Sequence, residues 1–252
     1  MTNSATDPRP PWNLWLPLVV GGVYMGGQIV VGILTLAIYW LSTLAAGSEP
    51  SLAAFAEGPL IVWVALGAAA ISGAAALVLV WVLLRPRVER PFVALGFVRG
   101  RRWLLMLTPA LTILVMMLVS ASVAGLFGLD EISVDTQEML FQTPSLGIAS
   151  LIVAITIAPA TEEILFRSLL YEPVQHRLGK GWAVVISAAL FAGAHLLMVG
   201  AGEAVLALFM VWFALGVFLG ALRAQTGTLW GPMLSHLTWN VIASIAALAA
   251  FQ

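Results

Sequence analysis

The chain has 252 residues, of which 61% are hydrophobic and 9% are charged. Soluble domains carry about 25% charged residues, so too few charges are present to coat a water-facing surface, and a mean hydropathy of +1.02 makes lipid the main solvent. The formal net charge of −1 and the lack of cysteine argue against the concentrated basic surface of a nucleic-acid binder and exclude disulfides, thiolate metal ligands and a cysteine nucleophile.

A short polar stretch, Met1 to Trp12, precedes an apolar run too long for a signal-peptide core, which reads as a retained first span. Judged against the roughly 20 residues a helix needs to cross a bilayer, seven spans are predicted: Leu14–Ala46, Pro59–Leu84, Trp103–Phe127, Leu146–Leu170, Gly181–Val199, Ala204–Leu222 and Leu229–Ala250. The expected fold is all-α, a polytopic transmembrane bundle of about seven or eight helices. The first span is long enough that it must tilt, break or leave the membrane. Gly21, Gly22, Gly26 and Gly27 serve either a break or close packing, and packing is the favoured reading. Between the third and fourth spans, Met139-Leu140-Phe141 lies among acids and reads equally as an interfacial helix or a polar loop.

Basic residues set the orientation. Arg85, Arg87, Arg90, Arg99, Arg101 and Arg102 fall between the second and third spans, and cytoplasmic loops attract Lys and Arg. Alternation then places Arg9, Arg177, Lys180 and Arg223 inside, with Arg167 near the inner end of its span. The N-terminus is therefore expected in the cytoplasm. Trp12, Trp15, Trp40, Trp81, Trp103, Trp182 and Trp230 lie near span ends, where the headgroup layer suits their rings.

The informative residues are ionisable ones inside apolar runs, where a central charge costs about 2.5–3.5 kcal/mol on translocon scales. The fourth span carries Glu162, Glu163 and Arg167, the fifth Phe191 and His195, and the seventh His236 and Asn240. Adjacent helical residues point about 100° apart, so the two glutamates are not expected to share one small pocket. Glu163 and Arg167, spaced i, i+4 with the acid first, form the favoured ion pair. Glu162 is left without a local cation and is free to face a cavity. His236 and Asn240 share one helix face, as do Phe191 and His195. Three spans thus bring polar groups that lipid cannot satisfy, and their cheapest solution is to converge. Gly193 is expected to ease close helix approach, and Pro159 to kink the fourth helix and free a carbonyl. By depth, counted at about 1.5 Å per residue, Glu162 and His236 match, whereas His195 falls deeper. Taken singly, a Glu–Arg pair is more often structural and a lone histidine bonds a neighbouring carbonyl. Thr161, Ser235 and Thr238 read as packing hydroxyls, and His176 as a solvated loop residue.

The patterns Glu-Glu-x-x-x-Arg, Phe-x-x-x-His and His-x-x-x-Asn, in order and on separate spans, resemble the CAAX protease and bacteriocin-processing (Abi) family of intramembrane peptidases, over roughly Ser145 to Ala246. Residues 1–145 are read as N-terminal transmembrane helices with an Arg-rich cytoplasmic loop, which match the family only as generic membrane helices; for residues 146–252 the resemblance implies a catalytic helical core. It also implies a peptide or protein substrate taken from the cytoplasmic side, within a bacterial plasma membrane. It implies that Glu162 and His195 activate water, that His236 and Asn240 hold the oxyanion, and that Glu163, Arg167 and Phe191 support them. The family is often described as metallopeptidase. Glu162, His195 and His236 would be the zinc set, but no His-Glu-x-x-His pair exists, and activation by Glu and His without zinc is slightly preferred. The alternatives are a transporter or proton relay, disfavoured by the apolar outer halves of these spans, and a catalytically silent scaffold or immunity protein of the same fold.

Overall fold

The computed structural model describes residues 10–100, 102–129, 143–196 and 205–250. Every regular element among them is helical: α1 Trp15–Ala45, α2 Leu52–Glu57, α3 Pro59–Leu84, α4 Pro91–Ala94, α5 Arg102–Phe127, α6 Pro144–Ile155, α7 Ile157–Ile164, a π-helical turn Leu165–Leu170, α8 Tyr171–Leu178, α9 Lys180–Leu196, α10 Val205–Thr226 and α11 Trp230–Ala250. The all-α bundle expected from the predicted spans and the family resemblance is what forms. Met139-Leu140-Phe141 lies outside the described residues, as do residues 197–199 of the fifth predicted span.

Among the described residues five helices are long and apolar enough to cross a membrane: Trp15–Ala45, Pro59–Leu84, Trp103–Phe127, the run Pro144–Leu178, and Val205–Thr226. Lys180–Leu196 is apolar but shorter. The last helix, α11, is 21 residues long, yet Ser235, His236, Thr238 and Asn240 dilute its hydropathy. Large apolar side chains such as Leu18, Ile33, Ile38, Ile71, Met106 and Leu126 point outward, while Glu162, Glu163, Arg167 and His236 are buried. That inside-out distribution is what a lipid solvent selects.

The fourth predicted span is longer than expected and is broken. It runs to Leu178, and the break falls at Thr156 (φ −119°, ψ −83°), not at Pro159. The proline instead occupies the first turn of the new helix α7, where a backbone N–H has no intrahelical partner to lose. Beyond α7 the backbone widens into the π turn, a form concentrated at functional sites. Two side chains reach carbonyls of this turn: Arg223 Nε donates to Arg167 O at 3.0 Å, and Trp12 Nε1 donates to Leu169 O at 3.0 Å. Trp12 and Arg223, both read as interface or loop residues, are therefore buried. Arg223 also pairs with Glu172.

The α7–π segment is central: α1, α3, α9 and α11 all pack on it. Small residues make those approaches possible. A Cβ on Gly27 would stand 2.8 Å from Ser72 Cβ, and one on Gly73 would stand 2.5 Å from Ile157 Cγ2 and 3.1 Å from Thr161 Oγ1. Packing is thus the role of Gly27, and α1 runs unbroken. Gly22 and Gly26 face open space, and so does Gly193, which does not mediate close approach. The tight contact of α9 with α10 is made at Gly216, where a Cβ would stand 2.9 Å from Ala188 Cα.

Gly73→Ala is expected to destabilise the protein by about 1–3 kcal/mol through overpacking, and Gly193→Ala to leave stability unchanged or slightly raised. Thermal unfolding midpoints in one detergent check both.

Candidate active site

The site is assembled at the first turns beyond the Thr156 break. Glu162 and Glu163, adjacent on α7, are buried and leave the helix in different directions. Glu163 Oε1 stands 3.5 Å from Arg167 Nη1, with both side chains fully buried. This is the i, i+4 pair anticipated from spacing. The same oxygen lies 2.9 Å from His236 Nδ1. Glu162 Oε2 lies 3.7 Å from His236 Nε2 and 3.8 Å from His195 Nε2. The expectation that the two carboxylates cannot serve one pocket therefore needs correction: an imidazole has acceptors or donors at opposite edges, and the His236 ring spans the angle between them. The depth mismatch of His195 is not present, because Glu162 Oε2 meets both rings.

Each ring is fixed from its far side. The Phe191 carbonyl accepts from His195 Nδ1 at 2.9 Å; a neutral ring with its proton at Nδ1 carries a lone pair at Nε2. The Glu163 carboxylate accepts from His236 Nδ1, so Nε2 of that ring donates only when the ring holds two protons. Phe191 is a hub. Its ring centroid is 4.4 Å from that of His195 and 5.6 Å from that of His236, and Arg167 Cζ sits 4.4 Å over it, a distance at which a cation is attracted to the ring face. Arg167 Nη2 also donates to Gly216 O at 3.3 Å, which ties the ion pair to α10.

The Asn240 amide is engaged with backbone. Its Nδ2 donates to Ala154 O at 2.7 Å, in the last turn of α6, where carbonyls lack helical partners. The freed backbone group thus finds its partner in the side chain one turn beyond His236. Thr161 Oγ1 donates to Gly73 O at 3.4 Å and Thr238 Oγ1 to Leu234 O at 2.8 Å, as packing hydroxyls do. Ser235 is buried, with no hydrogen bond at Oγ among the described residues, and His176 is exposed.

Two aromatic residues at the site carried no weight in the sequence. Tyr24 of α1 donates its hydroxyl to Glu162 Oε1 at 3.0 Å, and the Trp212 ring of α10 lies 5.1 Å from that of His195. Both sit mid-span, away from the interfacial positions where such rings usually gather, and that displacement was the available signal. With Tyr24 on Oε1, Glu162 Oε2 is buried and has no hydrogen-bond partner among the described residues.

The donor types of Glu162, His195 and His236 suit zinc, and a carboxylate behind His236 is the usual outer partner of such a ligand. The spacing suits it less well. With bonds near 2.0 Å, a zinc tetrahedron has ligand edges of about 3.3 Å, and the edges here are 3.8 and 3.7 Å. Among the described residues no three His, Cys, Asp or Glu form a group that could hold a metal ion, so no step is derived through one.

Fold and site together define a helical integral membrane protein with a buried carboxylate–imidazole cluster. Residues 144–242 match the family model described as type II CAAX prenyl endopeptidase Rce1-like. The match spans all three motifs and supports the CAAX protease family for this part of the chain. No curated protein and no solved structure gives a match.

Arg167→Met removes the buried guanidinium that faces the Glu163 carboxylate while His236 stays against it, and is expected to cost about 3–5 kcal/mol. Adding Glu163→Gln should recover part of that loss. Denaturation of the single and double variants in the same detergent measures the coupling.

Proposed function

We propose that this protein is an intramembrane endopeptidase of the CAAX type, in which Glu162 and His195 activate water while His236 and Asn240 hold the oxyanion. The observation that carries this reading is the approach of Glu162 Oε2 to two imidazole Nε2 atoms, at 3.8 and 3.7 Å, from three separate helices. Neither separation is a direct hydrogen bond. Both are spacings at which a bridging solvent molecule is the natural partner.

Hydrolysis begins at that bridged position. Water passes one proton to Glu162 Oε2 as its oxygen bonds to the substrate carbonyl carbon. His195 Nε2, bearing a lone pair because Nδ1–H is spent on Phe191, accepts a hydrogen bond from the second water hydrogen, which stays on the attacking oxygen, and aims the attack. The carbonyl π electrons move onto oxygen. His236 Nε2–H, in the doubly protonated ring, and the second amide hydrogen of Asn240 donate to that oxyanion. On collapse the C–N bond breaks, the leaving nitrogen takes the proton from Glu162, and a carboxyl and an amine product depart. One water is consumed. In this reading Glu163 and Arg167 hold His236, and Phe191 holds His195.

The substrate is a peptide or protein that enters from the cytoplasmic side, with the N-terminus of the chain on that side. The gathering of Arg85, Arg87, Arg90 and Arg99 in one loop supports this orientation. A prenylated CAAX peptide is the first probe, since the matched family is described by it.

Glu162→Gln and His195→Ala are each expected to lower cleavage of that peptide by about 10²–10⁴-fold while the protein still folds in the membrane. Wild-type cleavage by both folded variants would sink the enzyme reading. Metal analysis of the purified protein is expected to find no zinc that tracks activity. Stoichiometric zinc lost together with activity on chelation would instead make Glu162, His195 and His236 ligands.

A further inference from the structure

We propose that Tyr24, on the first helix and outside the segment that matches the family, is a positioning residue that selects which oxygen of Glu162 acts as the base. The inference rests on the peptidase reading and names a further member of that site.

Tyr24 is almost fully buried, at 2% exposure, in the middle of a helix whose lipid-facing side is apolar. A buried tyrosine hydroxyl needs a partner, and this one has the Glu162 carboxylate at 3.0 Å. A neutral hydroxyl donating to a charged acceptor makes one of the stronger hydrogen bonds available. The contact separates two otherwise equivalent oxygens. Oε1 is spent on Tyr24; among the described residues Oε2 has no hydrogen bond, and it faces Nε2 of both His195 and His236. Without the hydroxyl, the carboxylate is free to turn about its terminal torsion, which is broad and nearly two-fold, and Oε1 loses the Tyr24 donor. Proton abstraction requires the oxygen within hydrogen-bond reach of water in the correct direction, so rotation lowers the rate of the chemical step.

The packing that delivers Tyr24 is built for the purpose from small residues. Gly27 lies one turn further along α1 and lets Ser72 approach. Gly73, next on α3, leaves room for Thr161 and Ile157 on one side, and a Cβ there would also lie 3.6 Å from Tyr24 Cε2. Thr161 Oγ1 donates to the Gly73 carbonyl at 3.4 Å. The residue before Glu162 is thereby tied to the same helix that supports Tyr24. Position and orientation of the hydroxyl are set by α1 and α3, and its partner, Glu162, comes from α7.

The test uses the full chain in lipid nanodiscs and a fluorogenic prenylated CAAX peptide. Tyr24→Phe removes one oxygen and keeps the ring. It is expected to lower kcat by about tenfold or more, as loss of a hydrogen bond to a charged group does, with KM within about twofold, the pattern of a contact that matters to the chemical step and not to binding. In the Glu162→Gln background the same change is expected to have no further effect. A wild-type kcat, a loss that appears only in KM, or a full additional loss in the Gln background overturns the positioning role. Should Tyr24→Phe not accumulate, a fluorotyrosine at position 24 keeps the shape while changing the acidity of the hydroxyl, and an unchanged kcat overturns the role equally. Failure of the underlying reading looks different: cleavage then persists in folded Glu162→Gln itself.

Discussion

A charge placed in hydrocarbon must find a partner, and the architecture of this protein is arranged around that need. Arg167 and Glu163 are wholly inaccessible, and the transfer penalty of such a pair is offset only when the remaining donors and acceptors are also engaged. The chain of contacts runs from the Gly216 carbonyl through Arg167, Glu163 and His236 to Glu162, and ends on the Tyr24 hydroxyl. Four helices and the π turn supply its members. Displacing Arg167, His236 or Tyr24 would remove a partner from a buried carboxylate in a medium that offers none in return.

The backbone irregularities serve the same network. A continuous helix from Pro144 to Leu178 would keep its carbonyls to itself. The break at Thr156 exposes the carbonyls of the last turn of α6, and Asn240 is drawn in to satisfy Ala154. The π turn offers further carbonyls to Arg223 and Trp12. Irregular backbone at depth is tolerated where it is buried in protein, and here it doubles as a set of attachment points for side chains from α10, from α11 and from the segment before α1.

The polar half of this arrangement was legible in the sequence. Glu162, Glu163, Arg167, His195 and His236 stand out because ionisable residues in apolar runs have few reasons to exist, and i, i+4 spacing gave the Glu163–Arg167 pair directly. What spacing could not give was the third dimension. Helical geometry separates two adjacent glutamates, but it does not know that an imidazole from another helix can reach both. Nor does local pattern distinguish a proline that bends a helix from one that opens the next. Tyr24 and Trp212 escaped for a related reason: an aromatic ring in an apolar run is ordinary by hydropathy, and only its partner across the bundle gives it meaning. Gly193 differs from expectation because a small residue permits contact without requiring it.

The π turn between α7 and α8 holds one more consequence. Such a turn amounts to an α-helix with an extra residue inserted, so it sets the rotational phase between the helices on its two sides. Glu162 and Glu163 lie on one side of the insert; Glu172, Pro173 and the contact face for Arg223 lie on the other. Excision of one residue from Leu165–Leu170 would restore regular winding and swing the two halves by about 100° relative to each other, so that one set of attachments or the other would be lost to lipid. The widened turn is in this sense a phase adjuster, by which one continuous run of backbone addresses a buried cluster at one end and the Arg223–Glu172 clasp at the other.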